Sequence, residues 1–242
     1  MRLTASNLTC RRGGREVFAG VSFSVASGEL LAIRGRNGAG KSSLLRMVVG
    51  LVRVADGQLA LEAGDPELTI GEQAHYLGHQ DALKPSLSVR ENLQFWADFL
   101  GTGAAAIGEP LARVGLETLA DLPAAYLSAG QRRRLSIARL LVVTRPIWLL
   151  DEPLSALDAV AQQSLTEFMR AHLAGGGVIL AATHGALGLP AAREVWLGQA
   201  SSPRVEEGWG GGSGGGATTS TPAPRLANPT PTPSPSGKGE EP

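Results

Sequence analysis

The chain has 242 residues, 43% of them hydrophobic, with 22 basic and 22 acidic side chains. That length holds one large domain or two small ones with a sizeable core, and the balanced charge gives no bulk attraction to nucleic acid. The single cysteine, Cys10, excludes an intrachain disulfide, and no apolar run approaches the roughly 20 residues that span a bilayer. Met1–Leu8 also lacks the apolar stretch of a secretion signal. Any membrane role would therefore run through a partner.

Leu3–Leu8 and Val17–Val25 alternate like strands of a partly exposed sheet, with Cys10 as a small half-buried strand residue. Leu30–Ile33 reads as a buried strand. It runs into Gly35-Arg36-Asn37-Gly38-Ala39-Gly40-Lys41-Ser42, which has the form G-x-x-x-x-G-K-[ST] of a phosphate-binding loop. Leu44, Leu45, Met47, Val48 and Leu51 follow with helical spacing. Strand, loop and helix in that order are the context this motif requires. The glycines let backbone N–H groups curl around phosphate oxygens, and the helix N-terminus adds positive potential. Gly35–Ser42, with Ser43, is thus the candidate site for ATP. Lys41 would reach the β and γ phosphates, and Ser42 would ligate Mg²⁺.

Short strands are expected at Gln58–Leu61 and Ala74–Leu77, and helices at Val89–Leu100, Ile107–Val114 and Gly130–Val142. Ile147–Leu150 is a wholly apolar strand. Leu154–Leu173 reads as a helix ended by Gly175-Gly176-Gly177, and Val178–Ala182 as another buried strand. Parallel strands wrapped by helices, an α/β fold, are the natural result. From Pro203 onward glycine, proline, serine and threonine dominate, so 201–242 reads as a disordered tail behind a domain at 1–200.

A phosphate loop needs a second acidic element. Asp151 stands at the C-terminal end of the apolar strand, where such sheets bind ligands, and would hold Mg²⁺. Glu152 would be the general base or water-orienting carboxylate. The competing reading of this pair is a helix cap before Pro153.

Leu127-Ser128-Ala129-Gly130-Gln131 resembles the LSGGQ signature of ATP-binding cassette (ABC) ATPases, with alanine at the first glycine. Ser128 is a candidate cap for the helix that follows. The run Arg132-Arg133-Arg134 reads as solvated or intersubunit charge. Further matches follow the family's order. Gln80 matches the Q-loop glutamine, Ser155-Ala156-Leu157-Asp158 the D-loop, and His184 the switch histidine. Arg12 falls where the family has an adenine-stacking aromatic, and a guanidinium can also stack on a base.

This resemblance implies a P-loop NTPase fold with a RecA-like parallel-sheet core, an antiparallel β-subdomain and a helical insert at about 81–127. It further implies a head-to-tail homodimer. Each site would join Lys41, Ser42, Gln80, Asp151, Glu152 and His184 of one subunit to Ser128, Ala129, Gly130 and Gln131 of the other, with Mg²⁺ held by Ser42, Gln80 and Asp151.

Within that family, the stretch Tyr76-Leu77-Gly78-His79-Gln80-Asp81-Ala82-Leu83-Lys84 and the helix Glu91-Asn92-Leu93-Gln94-Phe95-Trp96 look like the ATPase of the bacterial haem-exporter system for cytochrome c maturation. The LSAGQ form and the arginines after it agree. That likeness implies a peripheral subunit on the cytoplasmic face of the inner membrane, paired with the system's polytopic membrane subunits. It implies no nucleic-acid partner and no direct haem contact. The rival readings are an ABC ATPase for a lipid, peptide or metal cargo, a soluble ABC ATPase, and a non-hydrolysing subunit.

Overall fold

The computed structural model describes residues 1–101, 107–191 and 193–198; the tail expected over 201–242 lies outside them. The N-terminal alternation gives β1 (Arg2–Arg12) and β2 (Arg15–Ala26). They are joined by Gly13-Gly14, whose φ values of +56° and +75° fit the two-residue turn of a tight hairpin. β3 (Leu30–Gly35) leads into α1 (Lys41–Val48), then β4 (Asp56–Glu62) and β5 (Ala74–Leu77). α2 (Val89–Phe99), α3 (Gly108–Arg113), two single 3-10 turns and α4 (Ala129–Val142) follow. β6 (Ile147–Asp151), α5 (Ala159–Ala174), β7 (Val178–Ala182) and β8 (Arg193–Leu197) complete the described chain.

Two sheets result. β2-β1-β4 is antiparallel, and β5-β6-β7-β3-β8 is parallel. The long crossovers that parallel neighbours need are the helical segments. Successive residues of the parallel strands point to opposite faces, and both faces are covered. Leu30, Ala32, Trp148, Leu150, Ile179 and Ala181 pack with the helical side, including Leu93, Leu111, Leu135 and Leu165. Leu31, Ile33, Ile147, Leu149, Val178 and Leu180 pack with α1 and with Leu3, Leu8, Phe18 and Val25 of the antiparallel sheet. β6 and β7 are buried along their whole length, which is why they read as unbroken apolar runs.

Three expectations are corrected. The helix expected from Leu154 begins at Ala159, because Ala156 adopts φ +61° and breaks the periodicity. α1 ends at Val48, and Gly50 at φ +84° turns the chain so that Leu51 is exposed rather than on the helix. Cys10 is fully buried rather than half-buried.

Candidate functional site

Gln80, Asp151–Glu152, His184 and the glycine loop follow the C-terminal ends of β5, β6, β7 and β3, which stand side by side in that order. Open parallel sheets bind ligands along this edge. Sequence-distant residues meet here because the strand order brings their loops together.

Glycine is required twice in the loop itself. Gly35 has φ +141°, and a Cβ there would lie 2.5 Å from the Leu197 carbonyl oxygen of β8. Gly40 has φ +99°, and its Cβ would lie 2.7 Å from Val17 Cγ1 and 2.8 Å from Phe18 Cδ1. Between them the Ala39 N–H donates to the Arg36 carbonyl at 3.1 Å, while Arg36, Asn37 and Gly38 form the exposed lip. Gly40 gives α1 no side-chain cap. The first helical hydrogen bond runs from Leu44 N–H to Gly40 O, which leaves the N–H groups of Lys41, Ser42 and Ser43 as donors for a ligand.

Lys41 is buried, and its Nζ donates to the carbonyls of Gly35 at 2.9 Å and Arg36 at 3.3 Å. It also lies 2.8 Å from His184 Nε2. An ammonium only donates, so this imidazole nitrogen accepts and the ring proton sits on Nδ1. Glu152 Oε1 stands 3.6 Å from the same His184 Nε2. Ammonium, imidazole and carboxylate thus stand in a row where three loops meet.

Asp151 is 2% exposed. Its Oδ2, like Glu152 Oε1, is buried without a hydrogen-bond donor. Burying a carboxylate oxygen unpaired is costly, and a cation or a bound water would satisfy it. The Asp151 carboxylate, the Ser42 hydroxyl and the Gln80 amide oxygen are all hard oxygen donors, so the set fits Mg²⁺. Gln80 itself lies exposed in the bend after β5.

Glu152 adopts φ +46°, uncommon for a non-glycine residue and typical of constrained sites. Its N–H donates to Ala182 O at 2.9 Å, and its carbonyl accepts from the Ser155 N–H and hydroxyl. The helix-cap reading of this pair fails. α5 starts seven residues after Glu152, and its cap is Asp158, which accepts from the Ala161 N–H at 2.8 Å.

Ser128 caps α4 through a reciprocal box: Gln131 N–H donates to Ser128 Oγ at 3.2 Å, and Ser128 N–H to Gln131 Oε1 at 2.8 Å. A Cβ on Gly130 would lie 3.1 Å from the Ala156 carbonyl, so the signature turn abuts the D-loop turn. Among the described residues, no hydrogen bond or ion pair joins Ser128–Gln131 to Lys41, Glu152 or His184. Arg12 is exposed in the β1–β2 hairpin, opposite Arg15, on the strand pair whose Val17 and Phe18 touch Gly40.

Of the two readings of the arginine run, solvated or intersubunit charge, the solvated one is corrected. Arg132 and Arg134 donate to backbone carbonyls of Leu127, Val114 and Gly115, and Arg133 is buried beneath the site. A charge run gives no local signal for the burial of Arg133, since its acceptors lie 18 to 55 residues away in sequence.

The sequence pattern of the ABC transporter family matches residues 18–155. The cytochrome c biogenesis ATP-binding export protein CcmA of Nitrobacter winogradskyi is 63% identical over 83% of this chain and 100% of its own length. The protein of the same name from Bradyrhizobium diazoefficiens is 60% identical over 82% of this chain and 98% of its own. A solved ATP-binding subunit of an ABC transporter superposes with TM-score 0.69 at 28% identity, covering 76% of this chain and 80% of that one. A putative ABC transporter ATP-binding protein from Pyrococcus furiosus gives 0.70 at 21% identity over 81% of this chain and 98% of that one, a likeness of fold alone. The motif order, the loops gathered on one sheet edge and these likenesses agree: the chain belongs to the ABC transporter ATPases, and within them to the CcmA family.

Proposed function

We propose that the chain is the ATP-hydrolysing subunit of a membrane ABC complex for cytochrome c biogenesis, coupling dimer closure to haem export or to release of a haem-loaded chaperone. One observation carries the hydrolytic reading: the donorless, buried Glu152 Oε1 lies 3.6 Å from His184 Nε2, which in turn is 2.8 Å from Lys41 Nζ. A carboxylate so placed can take a proton from an attacking water, and the imidazole beside it can hold charge that develops on the phosphate. Lys41 and the N–H groups of Lys41, Ser42 and Ser43 left open at the start of α1 supply fixed positive potential for the phosphates. Ser42, Gln80 and Asp151 would hold Mg²⁺, whose charge would neutralise the phosphates. Arg12 would contact the adenine face.

Ser128–Gln131 make no bond to this site within their own chain, which supports action on a second subunit's nucleotide in a homodimer. A single chain then supplies only part of the transition-state stabilisation, so turnover requires closure. The domain would comprise 1–200, with 81–127 as its helical insert. Among the described residues no helix is long and apolar enough to cross a membrane. As a member of the CcmA family the chain would bind polytopic membrane subunits at the cytoplasmic face of the inner membrane, and haem would be handled by those partners. The relatives' name as cytochrome c biogenesis proteins supports this cargo.

Glu152→Gln is expected to keep ATP binding and to lower turnover about a thousandfold, as loss of a general base does. ATPase and nucleotide-binding assays on the purified complex check this. Wild-type turnover in Glu152→Gln would remove the base assignment, and co-isolation with a lipid exporter's permease would remove the haem assignment.

A further inference from the structure

Arg133 is 2% exposed, in the second turn of the helix that begins with the signature motif. Its guanidinium reaches two loops at once. NH1 donates to the Gly78 carbonyl at 2.8 Å and stands 3.4 Å from Asp81 Oδ1. NH2 donates to the carbonyls of Asp151 at 3.1 Å and Glu152 at 2.9 Å. The first pair of acceptors brackets Gln80. The second pair belongs to the two residues whose carboxylates face the site.

Removing a guanidinium from water is costly, and an apolar side chain of the same volume would fill this space without that cost. The fork adds what an apolar residue lacks. Its N–H groups are rigidly spaced, so acceptors on two loops are held at one separation. Glu152 needs such a hold, since its φ of +46° persists only where the surroundings determine it. The other loop is pinned from the same helix: Ser136 Oγ donates to the Asp81 carbonyl at 3.0 Å, and Arg139 NH1 to the same oxygen at 3.3 Å. Gln80 therefore sits between two anchored points, Gly78 and Asp81, both tied to α4.

We propose that Arg133 is a positioning residue for hydrolysis: it fixes the Glu152 loop and the Gln80 loop at one separation, and moves both with the signature helix. It touches no reacting atom and acts through Glu152. The inference therefore rests on the reading of Glu152 as the base.

The test compares kcat, KM for ATP and melting temperature in the full-length wild type and in Arg133→Gln, Arg133→Lys, Asp81→Asn, Arg134→Gln and Glu152→Gln. Arg133→Gln is expected to lower kcat about tenfold or more while KM stays within about twofold, because binding survives and geometry does not. Arg133→Lys, which keeps the charge without the fork, is expected to recover part of kcat. Asp81→Asn is expected to lose about threefold, as it weakens one arm. Arg134→Gln removes bonds to Val114 and Gly115, which lead to neither loop, and is expected to keep kcat within about twofold. Wild-type kcat in Arg133→Gln overturns the proposal, as does an equal loss in Arg134→Gln or a loss confined to KM and melting temperature. If Arg133→Gln does not fold, as judged by circular dichroism, Arg133→Lys and Asp81→Asn decide: unchanged kcat in both overturns it. Glu152→Gln separates the two readings. Turnover there refutes the base, while an inactive Glu152→Gln beside a fully active Arg133→Gln refutes the positioning role alone.

Discussion

At the scale of single residues, two histidines show how burial divides one side-chain type into different tasks. His184 stands half-exposed in the row with Lys41 and Glu152. His75 is buried on β5, with Nε2 2.7 Å from the Val143 carbonyl. Burial pushes its pKa from 6.5 down to about 4, aided by the Arg145 and Arg139 charges and opposed by the Val143 bond. His172, stacked on Trp148, is shifted the same way by burial. The sign follows from linkage. Between pH 6.5 and 4 the unfolded chain binds a proton at His75 that the folded chain refuses, so stability falls as pH falls through that window. The loss attributable to His75 is about 3 kcal/mol from the size of the shift. Urea unfolding at pH 7 and pH 4.5 checks this: in His75→Gln the difference between the two pH values should shrink, and an unchanged difference would refute the assignment. Lys41, Gln80, Glu152 and His184 stand out in the sequence as candidates because each sits in a short motif tied to a strand end, and the structure brings three of them, Lys41, Glu152 and His184, together. Arg133 does not stand out, because its burial depends on the carbonyls of Gly78, Asp151 and Glu152, which follow β5 or end β6 and which only the folded sheet brings to α4.

At the scale of elements, legibility followed burial. β6 and β7 are central strands, buried on both faces, and their apolar runs announce them. β8 has no such run. It is an edge strand with only Leu197 buried and Trp196 56% exposed, and its place comes from pairing with β3. The same local reading extended α5 too early, since nothing in the composition of Leu154–Leu157 shows that Ala156 turns left-handed. α2 presents the opposite case, apolar residues that stay outside. Phe95 and Phe99 are 49% and 70% exposed, with rings stacked at 6.2 Å. Trp96 meets both edge-on and lies beneath the Arg139 guanidinium, whose Cζ stands 3.7 Å from the Trp96 ring centroid. An exposed, stacked aromatic pair beside Trp96 is a surface suited to a partner helix. The double variant Phe95→Ser/Phe99→Ser is expected to bind ATP and melt like the wild type, yet to lose roughly tenfold or more in co-purification with the membrane subunits. Full recovery of the complex from the variant would show that this face is not used.

At the scale of the whole molecule, no hydrogen bond or ion pair joins the Lys41 row to the Ser128–Gln131 turn among the described residues, which fits a site divided between two places. Lys41, Glu152 and His184 meet at the sheet edge, while Ser128–Gln131 head α4 beside the Ala156 turn. If each nucleotide needs both halves, they must come from different subunits, and this has a consequence that a one-chain site lacks. Lys41→Ala alone and Ser128→Arg alone should each give inactive homodimers. In a mixed dimer the Ser128→Arg chain supplies an intact Lys41 to the intact signature of its neighbour, so one complete site is restored. The second site carries both defects. Mixing the two variants is therefore expected to return about a quarter of wild-type activity: half the dimers are mixed at random, and each has one site of two. A chain whose site closed on its own signature would give no recovery at any mixing ratio. The measurement requires proof that subunits exchange, which two different affinity tags supply. Mixed dimers isolated through both tags that still fail to hydrolyse ATP would show either that the site is not shared or that both sites must be complete before either turns over. Wild-type chain paired with Lys41→Ala chain separates those outcomes, since its one complete site needs no rescue.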